Sequence, residues 1–137
     1  MKANELMLGD WVKIDDTPVR IISIDQSGLI DYVGANIGIT DLHPNLFSED
    51  TMFSTTCINN AYPIPLTDEI LAKNGFIKNN GHRVFYVHIN EYNGYALQLD
   101  ADDSGWYFSN NRFICIDCVH ELQHILRLCK KNKEVVL

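Results

Sequence analysis

The chain has 137 residues, of which 46% are hydrophobic and 21% are charged, so it carries enough apolar material to bury a core. Its formal net charge of -7 opposes binding to a phosphate backbone, which makes nucleic acid an unfavourable partner. No apolar run is long enough to cross a bilayer, and the first residues lack the pattern of a signal peptide. We therefore expect a cytoplasmic protein without membrane contact.

The first part of the chain, residues 1–62, predicts a small SH3-like β-barrel region. β-Branched and aromatic residues predict strands at 11–14, 19–24 and 29–33, with turn residues at 15–18 and 25–28 between them. Three short strands in close succession are typical of such barrels. One further strand is expected near 52–58.

The second part, residues 63–137, predicts a helix, an antiparallel sheet and a C-terminal helix. The first helix is expected at 68–74, with Thr67 as its N-cap and Gly75 ending it in a Schellman motif that packs Phe76 on Leu71. Strands are expected at 84–89, 95–99, 106–108 and 113–116, and a final helix at 118–130 with Asp117 as its N-cap. The fold class is therefore α+β, with two regions that are either separate domains or share one joint core.

Three segments resemble a group of small uncharacterised proteins from gut bacteria and their phages or mobile elements. The segments are Gly9-Asp10-Trp11-Val12, residues 63–76, and Val119-His120-Glu121-Leu122-Gln123-His124. In that group the last segment usually reads Val-His-Gln-Leu-Gln-Asn, so this chain differs at Glu121 and His124. The resemblance implies no activity, and it implies that the His-Glu pattern arose by two substitutions on a structural helix.

The segment from His120 to His124 matches the helix of zinc proteases. There, two imidazoles one turn apart bind Zn²⁺ and the glutamate, here Glu121, activates a water molecule. Helical spacing, however, places both histidines with Arg127 and Lys131, opposite the apolar face. Few residues follow that could supply a third ligand. We favour a solvated or partner-facing stripe without catalytic residues, and keep a zinc hydrolase as the alternative.

Cys115 and Cys118 form a C-x-x-C pattern at a strand-to-helix junction, where a helix N-terminus can lower a thiol pKa. Asp117 lies between them and opposes a thiolate, and no second closely spaced ligand pair occurs elsewhere in the chain. We therefore predict free thiols and no bound metal. One alternative is a zinc site formed by Cys115 and Cys118 with His120 or His124 and with Cys57 as a further ligand, and another is a redox-active dithiol.

Residues 100–105 match the first half of a calcium-binding loop, with oxygen ligands at Asp100, Asp102 and Ser104. The twelfth position of the loop is Asn111, where the motif requires a bidentate glutamate. We therefore favour an acidic hairpin tip over a calcium site.

Aromatic residues in the second part could stack on nucleic-acid bases, with two arginines as phosphate contacts. The set consists of Tyr86, Tyr92, Tyr95, Trp106, Tyr107, Phe108, Arg83 and Arg112. Because these aromatics also suffice to fill a small core and the chain is acidic, we favour core packing.

The sequence therefore favours a non-enzymatic accessory or interaction protein without a cofactor, of phage or mobile-element origin. Its partner is expected to be a protein or a second copy of the chain. A zinc hydrolase centred on His120, Glu121 and His124 is the first alternative, and a nucleic-acid-binding module is the second.

Overall fold

The computed structural model describes residues 2, 5–34, 53–79, 84–88, 96–102, 105–108, 111–129 and 135–137. The fold is α+β, with two antiparallel sheets and a C-terminal helix. The chain divides into two compact units, Met1–Ile64 and Pro65–Leu137. Within the described ranges, no helix combines the length and apolarity needed to span a bilayer.

The N-terminal unit contains one five-stranded sheet, ordered β4-β3-β2-β1-β5. Its elements are β1 (Trp11–Ile14), β2 (Thr17–Ile24), β3 (Leu29–Gly34), β4 (Ser54–Cys57), a 3-10 turn (Ile58–Asn60) and β5 (Tyr62–Pro63). The three predicted strands at the start are confirmed, and β5 was not predicted. As far as the structure describes these strands, β4 and β5 lie at opposite edges and the expected closed barrel is not seen.

A two-residue turn connects β1 to β2. Asp15 and Asp16 both have positive φ angles, of 48° and 62°, and Ile14 pairs directly with Thr17. Two successive left-handed residues define a type I′ turn, whose twist matches that of the flanking strands. The turn is shorter than the predicted 15–18 because Thr17 and Pro18 already belong to β2.

The two faces of this sheet bury different types of side chain. One face forms an apolar core, which includes Val12, Ile14, Val19, Ile21, Ile30, Ile58 and Ala61. On the other face, Trp11, Arg20 and Val33 lie opposite one another across three strands, and all three are buried. A fully buried arginine is unusual unless it is paired. The Arg20 guanidinium therefore belongs to the interior of this unit and not to its surface.

The first helix of the C-terminal unit, α1 (Asp68–Lys73), is confirmed together with its predicted caps. The Thr67 hydroxyl accepts a hydrogen bond from the Ile70 amide at 3.3 Å. At the other end, Gly75 has a φ of 82° and the Phe76 amide donates to the Leu71 carbonyl at 3.0 Å. This bond is the six-to-one contact of a Schellman motif.

The C-terminal sheet is an antiparallel meander ordered β10-β9-β8-β7-β6, as predicted apart from the added strand β6. Its strands are β6 (Ile77–Lys78), β7 (Val84–His88), β8 (Ala96–Asp102), β9 (Gly105–Phe108) and β10 (Asn111–Cys115), followed by α2 (Val119–Leu128). β10 pairs irregularly with β9, with a register shift between Asn111 and Cys115.

The N-cap of α2 is Cys118, not the predicted Asp117. The carboxylate of Glu121 accepts hydrogen bonds from the amides of Asp117 and Cys118, at 2.8 and 3.3 Å. Asp117 instead lies outside the helix, and its carbonyl accepts from the Leu66 amide at 2.9 Å. Glu121 at the third helical position therefore determines where the helix begins.

Gly105 is expected to tolerate no side chain. Its φ is 139°, which is unfavourable for other residues, and a Cβ there would collide with the carboxylate of Asp117. We predict that Gly105→Ala lowers the free energy of unfolding by about 2 kcal/mol. Urea denaturation followed by circular dichroism measures this change.

Gly34 provides the control because it also lies in a strand but has open space at its Cβ position and no positive φ. Gly34→Ala should leave stability unchanged or slightly raised. Adding Asp117→Ala to Gly105→Ala should recover the part of the loss that is due to the collision. Equal stability of the two alanine variants would contradict the prediction.

Candidate functional site

Three side chains that can bind a metal meet at the start of α2. These are Cys118, His120 and Glu121, and one donor atom from each lies within 4.8 Å of the other two. The Cys118 Sγ is 3.3 Å from Nδ1 and 3.5 Å from Nε2 of His120. Cys118 and His120 are only 7% and 5% exposed, so the cluster is held in the interior of the C-terminal unit.

The local chain path explains this convergence. Cys118 forms an isolated antiparallel bridge with Pro65, which fixes the chain as it leaves β10. The Leu122 amide then donates to the Cys118 carbonyl at 3.2 Å, closing the first turn of α2. Residues 118, 120 and 121 consequently project their side chains from a single helical turn.

Burial, together with a hydrogen bond to the Glu121 carboxylate, raises the pKa of the Cys118 thiol to about 12. The thiol is therefore protonated at neutral pH. This is the reverse of the low pKa that a helix N-terminus confers on reactive cysteines. Cys118 is consequently a poor nucleophile in the absence of a metal ion.

The residues of the zinc-protease pattern are arranged differently from a protease helix. His120 and His124 lie edge to face with ring centroids 5.8 Å apart, yet His124 is outside the three-residue cluster. Glu121 uses its Oε2 atom to cap the helix instead of facing an open cleft. His124 is therefore not gathered with His120 and Glu121 in one cluster.

The burial of His120 differs from the solvated stripe that helical spacing predicts. The buried residues of α2 are Val119, His120, Leu122, Gln123 and Leu126, whereas Arg127 is exposed. The buried face is thus rotated toward His120 and Gln123 relative to the apolar stripe. A helical projection identifies apolar residues, but it cannot show which polar residues the sheet also covers.

The two cysteines of the C-x-x-C pattern lie in different environments. Cys115 is exposed at the end of β10 whereas Cys118 is buried, and both are free thiols. The cluster includes Cys118 but not Cys115. The cluster thus contains Cys118 from the C-x-x-C pattern and His120 from the zinc-protease pattern.

Thiol labelling should distinguish these two cysteines. We predict that iodoacetamide at mildly alkaline pH modifies exposed Cys57 and Cys115 at least about tenfold faster than Cys118, because burial and a raised pKa both slow the reaction. Fragment-ion mass spectrometry over a time course resolves Cys115 from Cys118 within one peptide. Equal rates at these two positions would show that Cys118 is an accessible, activated thiol.

The predicted calcium loop begins inside a strand. Asp100 and Asp102 belong to β8, where Asp100 pairs with Val84 and Asp102 with Gly105. The Asp100 carboxylate accepts a hydrogen bond from the Gln98 amide group at 3.2 Å. Ser104 lies outside the described residues, and the acidic hairpin tip expected at 100–105 stays a prediction.

Two of the aromatic residues considered for base stacking are buried. Trp106 and Tyr107 are 5% and 9% exposed, and Trp106 packs edge to face against Phe85 with centroids 5.3 Å apart. These rings therefore fill the interior, as core packing predicts. Tyr92, Tyr95 and Arg83 lie outside the described residues, as do the side chains of Phe108 and Arg112.

A second feature of the C-terminal unit is an open groove beside the start of α1. It has a volume of about 480 Å³ and is lined by Leu66, Thr67, Asp68, Glu69 and Trp106. Leu66 and Trp106 are buried and supply an apolar floor, while Glu69 is exposed and Asp68 is half-buried. The groove therefore combines an apolar base with two carboxyl groups at its side.

The carboxyl groups of this groove are positioned by local hydrogen bonds. Hydrogen bonds from its own backbone amide and from the Thr67 hydroxyl hold the pKa of Glu69 below its ordinary value. Asp68 pairs with Lys78 at 3.3 Å, and both partners are largely solvated. Both carboxylates therefore have a lysine nearby, Lys73 for Glu69 and Lys78 for Asp68.

Comparison of the chain with protein-family models, curated proteins and solved structures finds no match. The function is therefore inferred from the chemistry of the Cys118-His120-Glu121 cluster and of the groove beside α1.

The sequence reasoning identified Thr67, Asp68 and Glu69 only as helix-capping residues and Trp106 only as a strand residue. Their meeting in one groove depends on tertiary packing between residues 66–69 and β9, for which the sequence carries no local signal. The Cys118-His120-Glu121 cluster did have a signal, since all three lie within four consecutive residues at a helix start. The zinc alternative already joined Cys118 with His120, but Glu121 was considered only as the residue that activates water.

Proposed function

We propose that this chain is a non-enzymatic binding protein whose groove beside α1 accepts a segment of a partner protein. The observation that carries the proposal is the combination of an apolar floor, formed by Leu66 and Trp106, with the carboxylates of Asp68 and Glu69. A site that is partly apolar and carries a few fixed polar groups is typical of ligand recognition.

The chemistry of the groove favours a partner segment with a lysine or arginine next to an apolar side chain. The cation would meet Glu69 and Asp68, and the apolar side chain would rest on the small part of Leu66 and Trp106 that reaches the groove. The net charge of -7 would also attract a cationic partner over longer distances and accelerate association. The same charge disfavours a second copy of this chain as the occupant.

The alternative functions are less well supported. Zinc hydrolysis by the protease pattern requires His120 and His124 to bind the same ion, whereas His124 lies outside the cluster that contains His120. Nucleic-acid binding requires exposed aromatic rings, whereas Trp106 and Tyr107 are buried.

For the N-terminal unit we propose an SH3-like barrel. The support is the strand order β4-β3-β2-β1-β5, in which the fifth strand returns beside the first after a 3-10 turn. A solution structure with β4 and β5 at the remote edges of a flat sheet would contradict this part of the proposal.

The binding proposal is tested with fluorescently labelled short peptides that contain Lys-Leu or Arg-Phe, and with matched peptides in which the basic residue is glutamate. Fluorescence anisotropy should show binding of the basic peptides only, with weaker binding as salt is added. The double variant Asp68→Asn/Glu69→Gln should bind about fivefold more weakly, because partly solvated ion pairs contribute modestly.

Asp15→Asn/Asp16→Asn is the matched control, since it removes the same two charges at exposed positions in the other unit. Asparagine tolerates the left-handed conformation of this turn. An equal loss of affinity in both double variants would reduce the effect to bulk charge and overturn the proposal. Equal binding of the glutamate peptides, or no binding of any peptide, would also overturn it.

A further inference from the structure

We propose that Cys118, His120 and Glu121 bind one divalent transition-metal ion, most favourably Zn²⁺, at the start of α2. The inference is independent of the groove and adds a site for a different class of ligand. It rests on the convergence of three side chains of different ligand types within 4.8 Å.

The spacing of the donor atoms fits a tetrahedral metal. With Zn–S near 2.3 Å and Zn–N near 2.0–2.1 Å, tetrahedral angles separate sulfur from nitrogen by about 3.6 Å. The Sγ of Cys118 lies 3.3 and 3.5 Å from the two ring nitrogens of His120. The sulfur–nitrogen separation therefore matches that of a tetrahedral site, and the Glu121 donor atom lies within 4.8 Å of the other two.

The ligands are also held in place before any ion binds. The bridge to Pro65 and the bond from the Leu66 amide to the Asp117 carbonyl fix the backbone that leads into Cys118. Burial of Cys118 and His120 restricts their rotamers, which lowers the entropy that binding must overcome. Mixed sulfur, nitrogen and oxygen donors favour Zn²⁺ or Co²⁺ over Ca²⁺ or Mg²⁺.

Glu121 can serve both the helix and the metal. Its Oε2 atom accepts both backbone amide bonds, and the hydrogen bond from the Cys118 thiol is lost when that thiol gives up its proton, which leaves Oε1 for the ion. On binding, the Sγ–H bond of Cys118 breaks, an Sγ–metal bond forms and the proton passes to the buffer, with no change of oxidation state. Three protein ligands leave the fourth position to water.

The first test is a titration of the metal-free, untagged full chain with Co²⁺. We expect the visible absorption of tetrahedral cobalt and a near-ultraviolet thiolate-to-metal band that saturate at one ion per chain and disappear when Zn²⁺ is added. Cys118→Ser and His120→Gln should each weaken cobalt binding by at least about tenfold. Cys115→Ser and His124→Gln are the matched controls and should leave the titration unchanged.

Because Cys118 and His120 are buried, their variants could fail to fold, so the second test uses the unmodified protein. X-ray absorption of the zinc-loaded chain should show one sulfur and three nitrogen or oxygen neighbours. Two sulfur neighbours would assign the ion to the C-x-x-C pair, and none would assign it to surface groups; either result overturns the proposal. Failure to retain zinc after desalting, with no cobalt spectrum, also overturns it.

Discussion

Replacing Arg20 with alanine is expected to lower the free energy of unfolding by about 4 kcal/mol, the largest effect of any single substitution considered for this chain. Arg20 is fully buried, and its guanidinium lies over the Trp11 ring at 4.5 Å from the centroid. Alanine would remove this cation–π contact and would leave a cavity between strands that are buried on both faces. Urea denaturation followed by circular dichroism measures the loss.

Asp10 is a second buried ionisable residue of this unit, and its Oδ2 atom accepts a hydrogen bond from the Met7 amide at 2.7 Å. Its side chain is also fully buried, and its carbonyl accepts a hydrogen bond from the Ile21 amide at 3.0 Å, next to Arg20. Removing one of two opposite charges from an interior is more costly than removing both. Arg20→Met, which keeps most of the volume, should therefore regain stability when it is combined with Asp10→Asn.

Lys13 provides the control, because it is a basic residue of the same sheet that remains partly exposed. Lys13→Ala should change the free energy of unfolding by less than about 0.5 kcal/mol, as expected for a surface position. A loss for Arg20→Ala no larger than that for Lys13→Ala would show that the buried guanidinium contributes little.

Elements with local signals could be predicted from the sequence, and elements set by long-range packing could not. Thr67, Gly75 and Phe76 act on neighbouring backbone groups, so the caps of α1 were predictable residue by residue. β5 and β6 each contain two residues, too few for an alternating pattern, and only their partners make them strands. The N-cap of α2 was misplaced by one residue because Glu121, three positions later, selects it.

The candidate site, like the fold, was predictable where the signal is local and not where it depends on long-range packing. Its residue types and spacing are visible in the sequence, and the helix start that presents them was predicted to within one residue. The burial of His120 and the exposure of Cys115 depend on how α2 and β10 pack, which a helical projection cannot supply. The sequence therefore identifies the candidate ligand residues, and packing determines which of them lie close together.

Replacing Asn74 with alanine is expected to lower the free energy of unfolding by about 3 kcal/mol and to release the C-terminal residues. The buried Asn74 amide group donates to the carbonyls of Ile70 and Val136, each at 2.7 Å, and its oxygen accepts from the Val136 amide at 2.8 Å. Its side chain thus pairs with Val136 as a neighbouring strand would, because each partner both donates and accepts. Alanine would leave these backbone groups without their partner.

Two measurements separate this role from a general loss of packing. Hydrogen exchange of the Val136 amide should accelerate in Asn74→Ala at denaturant concentrations where the unit stays folded. Deleting residues 135–137 should cost at least as much, since it also removes buried Val135. Combining the deletion with Asn74→Ala should cost less than the sum, since both remove the bonds between Asn74 and Val136. Asn60→Ala, which removes one exposed bond to Thr56, is the control and should have little effect. Additive losses, or unchanged exchange at Val136, would show that Asn74 stabilises the unit by other means.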